Sequence, residues 1–255
     1  MKVVVKVGTS TLAHATGRLN IRRTGELCRV LSDLKNAGHE VILVSSGAIG
    51  MGVGKLGLTE KPTDIPTKQA AAAVGQCELM YTYDRLFTEH NHTVAQILLT
   101  GADFLAEDRH ENFNNTMSRL LSLGVLPIIN ENDTIATEEI KVGDNDTLSA
   151  LVAVSVGAEL LVILSDVNGL YDADPHKNAN AKLIERVHGT PEYIFDLAGD
   201  VGSALGTGGM KTKMNAAKIC ISKGVDMVIA NGENPDLLYN IVAGTEGGYT
   251  RFYSK

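Results

Sequence analysis

A chain of 255 residues, 44% hydrophobic and 21% charged, holds enough apolar material for one large α/β domain or two small ones. Its net charge of −7, with Lys and Arg scattered rather than clustered, argues against a nucleic-acid surface, and no uninterrupted apolar window of about 18 residues marks a membrane span. Cys28, Cys77 and Cys220 are odd in number and far apart, which speaks against a disulfide framework or structural zinc and for a reducing cytosol.

In chain order, residues 3–7 read as a first strand. The opening MKVVVKVG is too short an apolar run for a secretion signal and passes straight into a Gly-Thr-Ser turn. Lys6, near the end of that strand and followed by Gly8, Thr9 and Ser10, can present an ammonium and backbone N–H groups to an anion; taken alone it is an ordinary strand-end turn. Asn20 can cap a helix reaching about 37, with Gly38 as its stop. A strand at 40–44 leads into SSGAIGMG at 45–52, the strand–glycine–helix layout that collects anions at a helix N-terminus. It is neither a Walker A motif nor a Rossmann fingerprint. A long helix over 67–89 carries the alanine run 70–73, and His90 and His92 beyond it read as a polar helix end rather than metal ligands.

Further strands are predicted at 93–99, 125–129, 160–164 and 226–230, and further helices at 113–123, 145–156 and 210–223. Gly124, Gly157 and Gly224 stand where C-terminal caps belong. Residues 247–253 alternate enough for an edge strand. Several of the strands are unbroken Val/Ile/Leu runs, as in strands covered on both faces. Strands alternating with helices predict a mostly parallel sheet between helix layers. Ligands in such sheets bind beyond the carboxyl ends of the strands, so five loops matter: GTST at 8–11, SSGAIGMG, NEND at 130–133, SDVNG at 165–169 and GTGGMKTK at 206–213.

The stretch 130–150 holds six carboxylates, Glu131, Asp133, Glu138, Glu139, Asp144 and Asp146, and three asparagines against one lysine. GDND at its end can start a helix, with Asp144 or Asn145 as the cap and Asp146 in the first turn, where the dipole favours an anion. That leaves NEND unexplained, and carboxylates with amides can bind an ammonium group, orient lysines or hold Mg²⁺. In GTGGMKTK, two lysines in the first helical turn oppose the macrodipole unless an anion such as a polyphosphate sits there. Together the loops suggest phosphoryl transfer from a nucleotide to a small amino-bearing acceptor.

The segments VVKVGTS (4–10), VSSGAIGMG (44–52), KQAAAAVGQ (68–76), INENDTI (129–135), EIKVGDNDTLSALVA (139–153), SDVNGLYDADP (165–175) and GTGGMKTK (206–213) resemble the amino-acid kinase family, and within it the glutamate 5-kinases, in order over nearly the full length. The resemblance implies a three-layer α/β/α sandwich with a mainly parallel sheet of about eight strands, in a single domain 1–255. Its N-terminal part would bind glutamate and its part from about 160 the nucleotide. It implies ATP-dependent phosphorylation of the L-glutamate side-chain carboxylate, the first step of proline biosynthesis. By position, Lys6 and Lys213 would serve catalysis, with Asp146 holding both lysines and Gly47 beside the reacting centre. Ser46, Asp133 and Asn145 would contact glutamate. Lys6, Gly8, Ser165, Asp166 and the run Thr207, Gly208, Gly209, Met210, Lys211, Thr212 and Lys213 would contact ATP. Ser165 stands where many relatives have Thr, which keeps the hydroxyl. Many relatives continue into a C-terminal PUA domain, and this chain, ending at Lys255, is expected to be the short form.

An acceptor carboxyl of this type ordinarily titrates at about pH 4.3 and is already ionised at neutral pH, so the chemistry needs no general base, and no Ser-His-Asp or Cys-His set stands out. The difficulty is bringing two anions together, which calls for positioning and electrostatic stabilisation. Mg²⁺ is expected to be held mainly by the phosphates and water, and no protein ligand is assigned to it. The alternatives are another family member acting on acetylglutamate, aspartate or carbamate, or a non-catalytic sensor. A homo-oligomeric, cytoplasmic enzyme is expected, a dimer or tetramer with helix 67–89 as a contact and proline as a feedback inhibitor.

Overall fold

The computed structural model describes every residue except 15–17, 61, 137–141, 143, 174, 176, 177, 179, 192, 193, 195–208 and 246. Eight strands form one sheet: β1 (Lys2–Val7), β2 (Glu40–Ser45), β3 (Val94–Leu99), β4 (Leu126–Glu131), β5 (Leu160–Ser165), β6 (Arg186–His188), β7 (Asp226–Asn231) and β8 (Tyr249–Tyr253). Their order is β3-β4-β2-β1-β5-β7-β8-β6. The first six positions in that order are parallel. β8 runs antiparallel to β7 and parallel to β6, so this last pair opposes the rest.

The late stretch expected at an edge is therefore one strand in from it. The edge belongs to β6, whose three residues bury only Val187. Its shortness suits an edge, because a short strand offers little template for pairing with other chains.

The helices are α1 (Thr9–Leu12), α2 (Ile21–Asn36), α3 (Ala48–Leu56), α4 (Ile65–Thr88), α5 (Gly101–Leu105), α6 (Glu107–Ser122), α7 (Asn145–Ser155), α8 (Met210–Ser222) and α9 (Leu237–Ala243). Successive residues of a strand point to opposite faces, and the core divides accordingly. Val3, Val5, Val7, Leu43 and Ile128 pack with α2, α4 and α9. Val4, Ile42, Ile129 and Ile163 pack with α6, α7 and α8. Each inner strand is thus buried on both sides, which is why its sequence is an unbroken apolar run rather than an alternating one. The result is the three-layer α/β/α sandwich.

α2 is capped by Asn20, whose side chain accepts from the Arg23 N–H, and α7 by Asp144, which accepts from the Thr147 N–H at 2.7 Å. α3 and α4 cross in backbone contact. A Cβ on Gly52 would stand 1.7 Å from the Ala71 carbonyl oxygen, and one on Gly75 1.7 Å from the Ala48 oxygen. Only glycine permits so close an approach.

The connections from β1 to β2 and from β5 to β7 diverge across the sheet. The carboxyl ends of β1 and β5 at that switch point are where ligands bind in such sheets.

Candidate active site

Parity along β1 decides where Lys6 points. Val3, Val5 and Val7 face α2 and α4, so Val4 and Lys6 face α7 and α8. There Lys6 Nζ lies 2.7 Å from Asp146 Oδ1. Asp146 is the second residue of α7, and its other oxygen, Oδ2, receives Lys213 Nζ at 3.2 Å from the first turn of α8. Thr212 Oγ1 lies 2.8 Å from the same oxygen and 2.8 Å from the Gly209 carbonyl. Lys6, Asp146 and Lys213 are 8%, 1% and 5% exposed.

Burial alone would raise the Asp146 carboxyl. Lys6 and Lys213, with the Thr212 hydroxyl, outweigh that effect and hold it below the ordinary carboxylate range, so it stays ionised. Lys6 and Lys213 thus present two ammonium groups side by side at one carboxylate, a setting that attracts an incoming anion. A Cβ on Gly8 would come 3.5 Å from Lys6 Nζ, so glycine keeps that side of the ammonium open.

Beside this triad runs a chain of amides that crosses from one helix layer to the other over the strand tips. Asn145, the first residue of α7, donates from Nδ2 to Ser46 Oγ at 2.7 Å and to Asn130 Oδ1 at 3.0 Å, with the Ser45 carbonyl 3.4 Å away. Asn130 Nδ2 donates to Gln76 Oε1 on α4 at 2.9 Å. Ser45 Oγ meets the Tyr83 hydroxyl at 2.8 Å, also on α4. Asn145 Oδ1 is buried without a partner.

Gly47 caps α3 in the left-handed region, at φ 107°, and no side chain caps that end. The first N–H groups of α3 therefore lack intrahelical acceptors and face outward, ready for an anion. An apolar hollow lined by Leu12, Met51 and Leu79 opens beneath Gly47.

The other expected residues lie as follows. Asp133 is half-buried in the turn after β4, where the Asn132 N–H donates to the Leu99 carbonyl at 2.7 Å. Ser165 is buried at the tip of β5 and donates to Asp166 Oδ1 at 3.0 Å, while Asp166 itself is exposed. Met210 packs into the core, and Lys211 points to solvent, away from the buried Lys213. Thr207 and Gly208, like Glu138, Glu139 and Gly143, lie outside the described residues.

Asn130 and Glu131 are strand residues rather than loop residues: β4 runs two positions past its predicted end, and both are buried. Sequence reasoning misses Gln76 and Tyr83 as residues of the site. The available signal is the polar residues Gln76, Thr82 and Tyr83 on the buried side of a helix that otherwise buries Ala71, Ala72, Gly75, Leu79 and Phe87.

Among the described residues no group of three His, Cys, Asp or Glu side chains could hold a metal, and no helix is long and apolar enough to cross a membrane. Burial pushes the Cys220 thiol up to about 12 and Cys28 higher still, so neither is an activated nucleophile.

Residues 1–231 match the model of the amino acid kinase family. A glutamate 5-kinase of Caldanaerobacter subterraneus subsp. tengcongensis is 54% identical over 250 residues, covering 98% of this chain and 67% of its own. A glutamate 5-kinase of Clostridium perfringens is 51% identical over 258 residues, covering 100% of this chain and 96% of its own. Among solved structures, carbamate kinase from Giardia lamblia bound to AMP-PNP superimposes with a TM-score of 0.68 at 18% identity, over 100% of this chain and 98% of that one. That likeness speaks for the fold.

Proposed function

The chain belongs to the amino acid kinase family, and from that premise we infer that it is a glutamate 5-kinase, phosphorylating the side-chain carboxylate of L-glutamate with ATP as the first step toward proline. A carboxylate oxygen of glutamate attacks the γ-phosphorus. The bond from that phosphorus to the β,γ-bridging oxygen breaks, and the products are ADP and an acyl phosphate. The observation that carries the reading is the buried Lys6–Asp146–Lys213 triad.

Lys6 and Lys213 approach the transferring group from β1 and α8 and stabilise the charge that redistributes over its oxygens. Asp146 keeps the two ammonium groups side by side despite their repulsion. Gly8 and Gly47 contribute backbone N–H groups, and one such fixed donor typically supplies about 3–4 kcal/mol in the transition state. Ser46 and Asn145 bind glutamate, with Asp133 facing its α-ammonium, while Ser165, Asp166 and residues 209–213 line the nucleotide side. This divides the single domain at about residue 160 into a glutamate-binding and a nucleotide-binding part. Mg²⁺ would supply charge neutralisation on the nucleotide phosphates, and the two ammonium groups at Asp146 fit a nucleotide that brings its own metal, held by phosphates and water.

Two expectations about context accompany this reading. A homo-oligomer through α4 is one, and that helix carries Ile65 and Tyr81 exposed on different faces; a reducing cytoplasm is the other, which three free thiols suit.

The test is trapping of the acyl phosphate with hydroxylamine, in the presence of ATP and Mg²⁺, for glutamate, acetylglutamate, aspartate and carbamate in parallel, with and without proline. Hydroxamate from glutamate alone is the expected outcome, suppressed by proline. Turnover with another acceptor, or ATP binding without hydroxamate, would overturn the reading.

A further inference from the structure

Gln76 touches none of the charged groups of the triad, yet it sits at the start of the amide chain. It is 7% exposed on the inner side of α4. A buried amide needs partners, and its Oε1 accepts from Asn130 Nδ2 at 2.9 Å.

The polarity of that bond is fixed from the opposite side. The backbone N–H of Glu131 can only donate, and it meets Asn130 Oδ1 at 2.9 Å. The other arm of Asn130 is therefore its NH₂, which requires an acceptor at position 76. Asn130 Oδ1 also faces Asn145, which turns its own NH₂ toward Asn130 and Ser46. Asn130 is thus held at both ends, by the Glu131 N–H and by Gln76 Oε1, and it orients Asn145 in turn; the row ends on Asn145 Oδ1, buried and without a partner.

A buried carbonyl without a donor carries a desolvation cost that a ligand donor removes. We propose that Gln76 is a positioning residue for acceptor selectivity: by accepting from Asn130 it locks the row of amides so that Asn145 Oδ1 is left for the substrate's α-ammonium. This rests on the reading of the pocket as the amino-acid site. It predicts a preference for free amino acids over acids that lack the amino group or carry it acylated. Without an acceptor at 76, Asn130 keeps the Glu131 N–H on its Oδ1 but loses the partner of its NH₂, so only one of its two orienting contacts remains and Asn145 is held less firmly with its oxygen toward the ammonium.

The experiment compares Gln76→Met, which keeps the length and removes the acceptor, with Gln76→Glu, which keeps an acceptor. Four quantities are measured for each: kcat, KM for glutamate, KM for ATP, and the inhibition constant of glutarate, which is glutamate without its amino group. In Gln76→Met the KM for glutamate should rise about tenfold or more, the effect of one hydrogen bond to a charged group. Glutarate inhibition, kcat and the KM for ATP should stay within about twofold. Gln76→Glu should restore the KM for glutamate to within about threefold of the parent.

A role confined to packing would shift glutarate and ATP together with glutamate, and would make Gln76→Glu, a buried charge, the worse variant. Either result, or an unchanged KM in a folded Gln76→Met, overturns the proposal. If Gln76→Met does not fold, Gln76→Glu decides: a rise in KM beyond about tenfold rejects it. Parent enzyme that forms no hydroxamate from glutamate rejects the pocket reading itself, whereas an active parent with an indifferent Gln76→Met rejects only this inference.

Discussion

Asp146 has two duties at the scale of a single residue, holding charge in place for the reaction and holding α7 against β1 and α8. Replacing Lys213 by Ala removes a group that acts on the transferring phosphoryl. Its kcat should fall by about 10²–10³ with little change in KM for glutamate, and near-normal turnover in steady-state kinetics would remove Lys213 from its role. Asp133→Asn should instead raise the KM for glutamate about tenfold with kcat nearly kept, because it weakens a ground-state ion pair; an unchanged KM would move the ammonium contact elsewhere.

For Asp146→Asn the expectation concerns stability. The variant leaves two buried ammonium groups without their carboxylate, at a cost of about 3 kcal/mol at neutral pH. The folded Asp146 carboxyl is held below its unfolded value, about 3.9. Its contribution is therefore fully present above about pH 4 and is lost as the pH falls further, through the lower folded value. Melting temperatures followed across that acid window should drop more steeply for the parent than for Asp146→Asn, and parallel curves would show that this carboxyl is not the group titrating.

At the scale of elements, α4 stands under the acceptor loop. Gly75 allows α3 to lie on it, with the Ala48 carbonyl 1.7 Å from where a Cβ would be, and Gln76 follows directly. Gly75→Ala must push α3 away, and with it Gly47 at the head of that helix. A loss of about 1–3 kcal/mol is expected from overpacking, together with a raised KM for glutamate. Urea unfolding and steady-state kinetics on the same preparation check both, and a fully stable variant would show that the crossing is looser than described.

The same scale shows what the sequence reveals and what it hides. β1, β2, β4, β5 and β7 are legible because burial on both faces demands unbroken apolar runs, and α2 and α7 because Asn20 and Asp144 announce their starts. α5, α6 before residue 113, α9 and β6 carry no comparable signal: α5 buries nothing and β6 only Val187. Asn130 and Glu131 look like loop residues because polarity in a strand is read as its end. They remain in the strand because Gln76, Asn145 and the Val142 N–H satisfy them. The lysines and Asp146 stand out by residue type and by their glycine-rich settings. Gln76 does not, since its partner Asn130 is 54 positions away.

At the scale of the whole molecule, one continuous sheet carries both halves of the site, and β1 pairs with β2 on one side and β5 on the other. The two halves should therefore melt together. Calorimetry is expected to give one cooperative transition, moved upward by a non-hydrolysable ATP analogue and by glutamate in proportion to RT ln(1 + [L]/Kd). Two separate transitions would show that the halves are independent units.

The central position of β1 also has a consequence for how the molecule is made. The first strand to leave the ribosome must wait for β5 before its second edge is covered, and Lys213 is translated 67 residues after Asp146. A nascent chain released as far as β5 already has the residues of the amide row but only one of its two ammonium groups. Competence for phosphoryl transfer thus arrives late in translation, when α8 docks, and until then Asp146 has Lys6 on one oxygen and lacks Lys213 on the other.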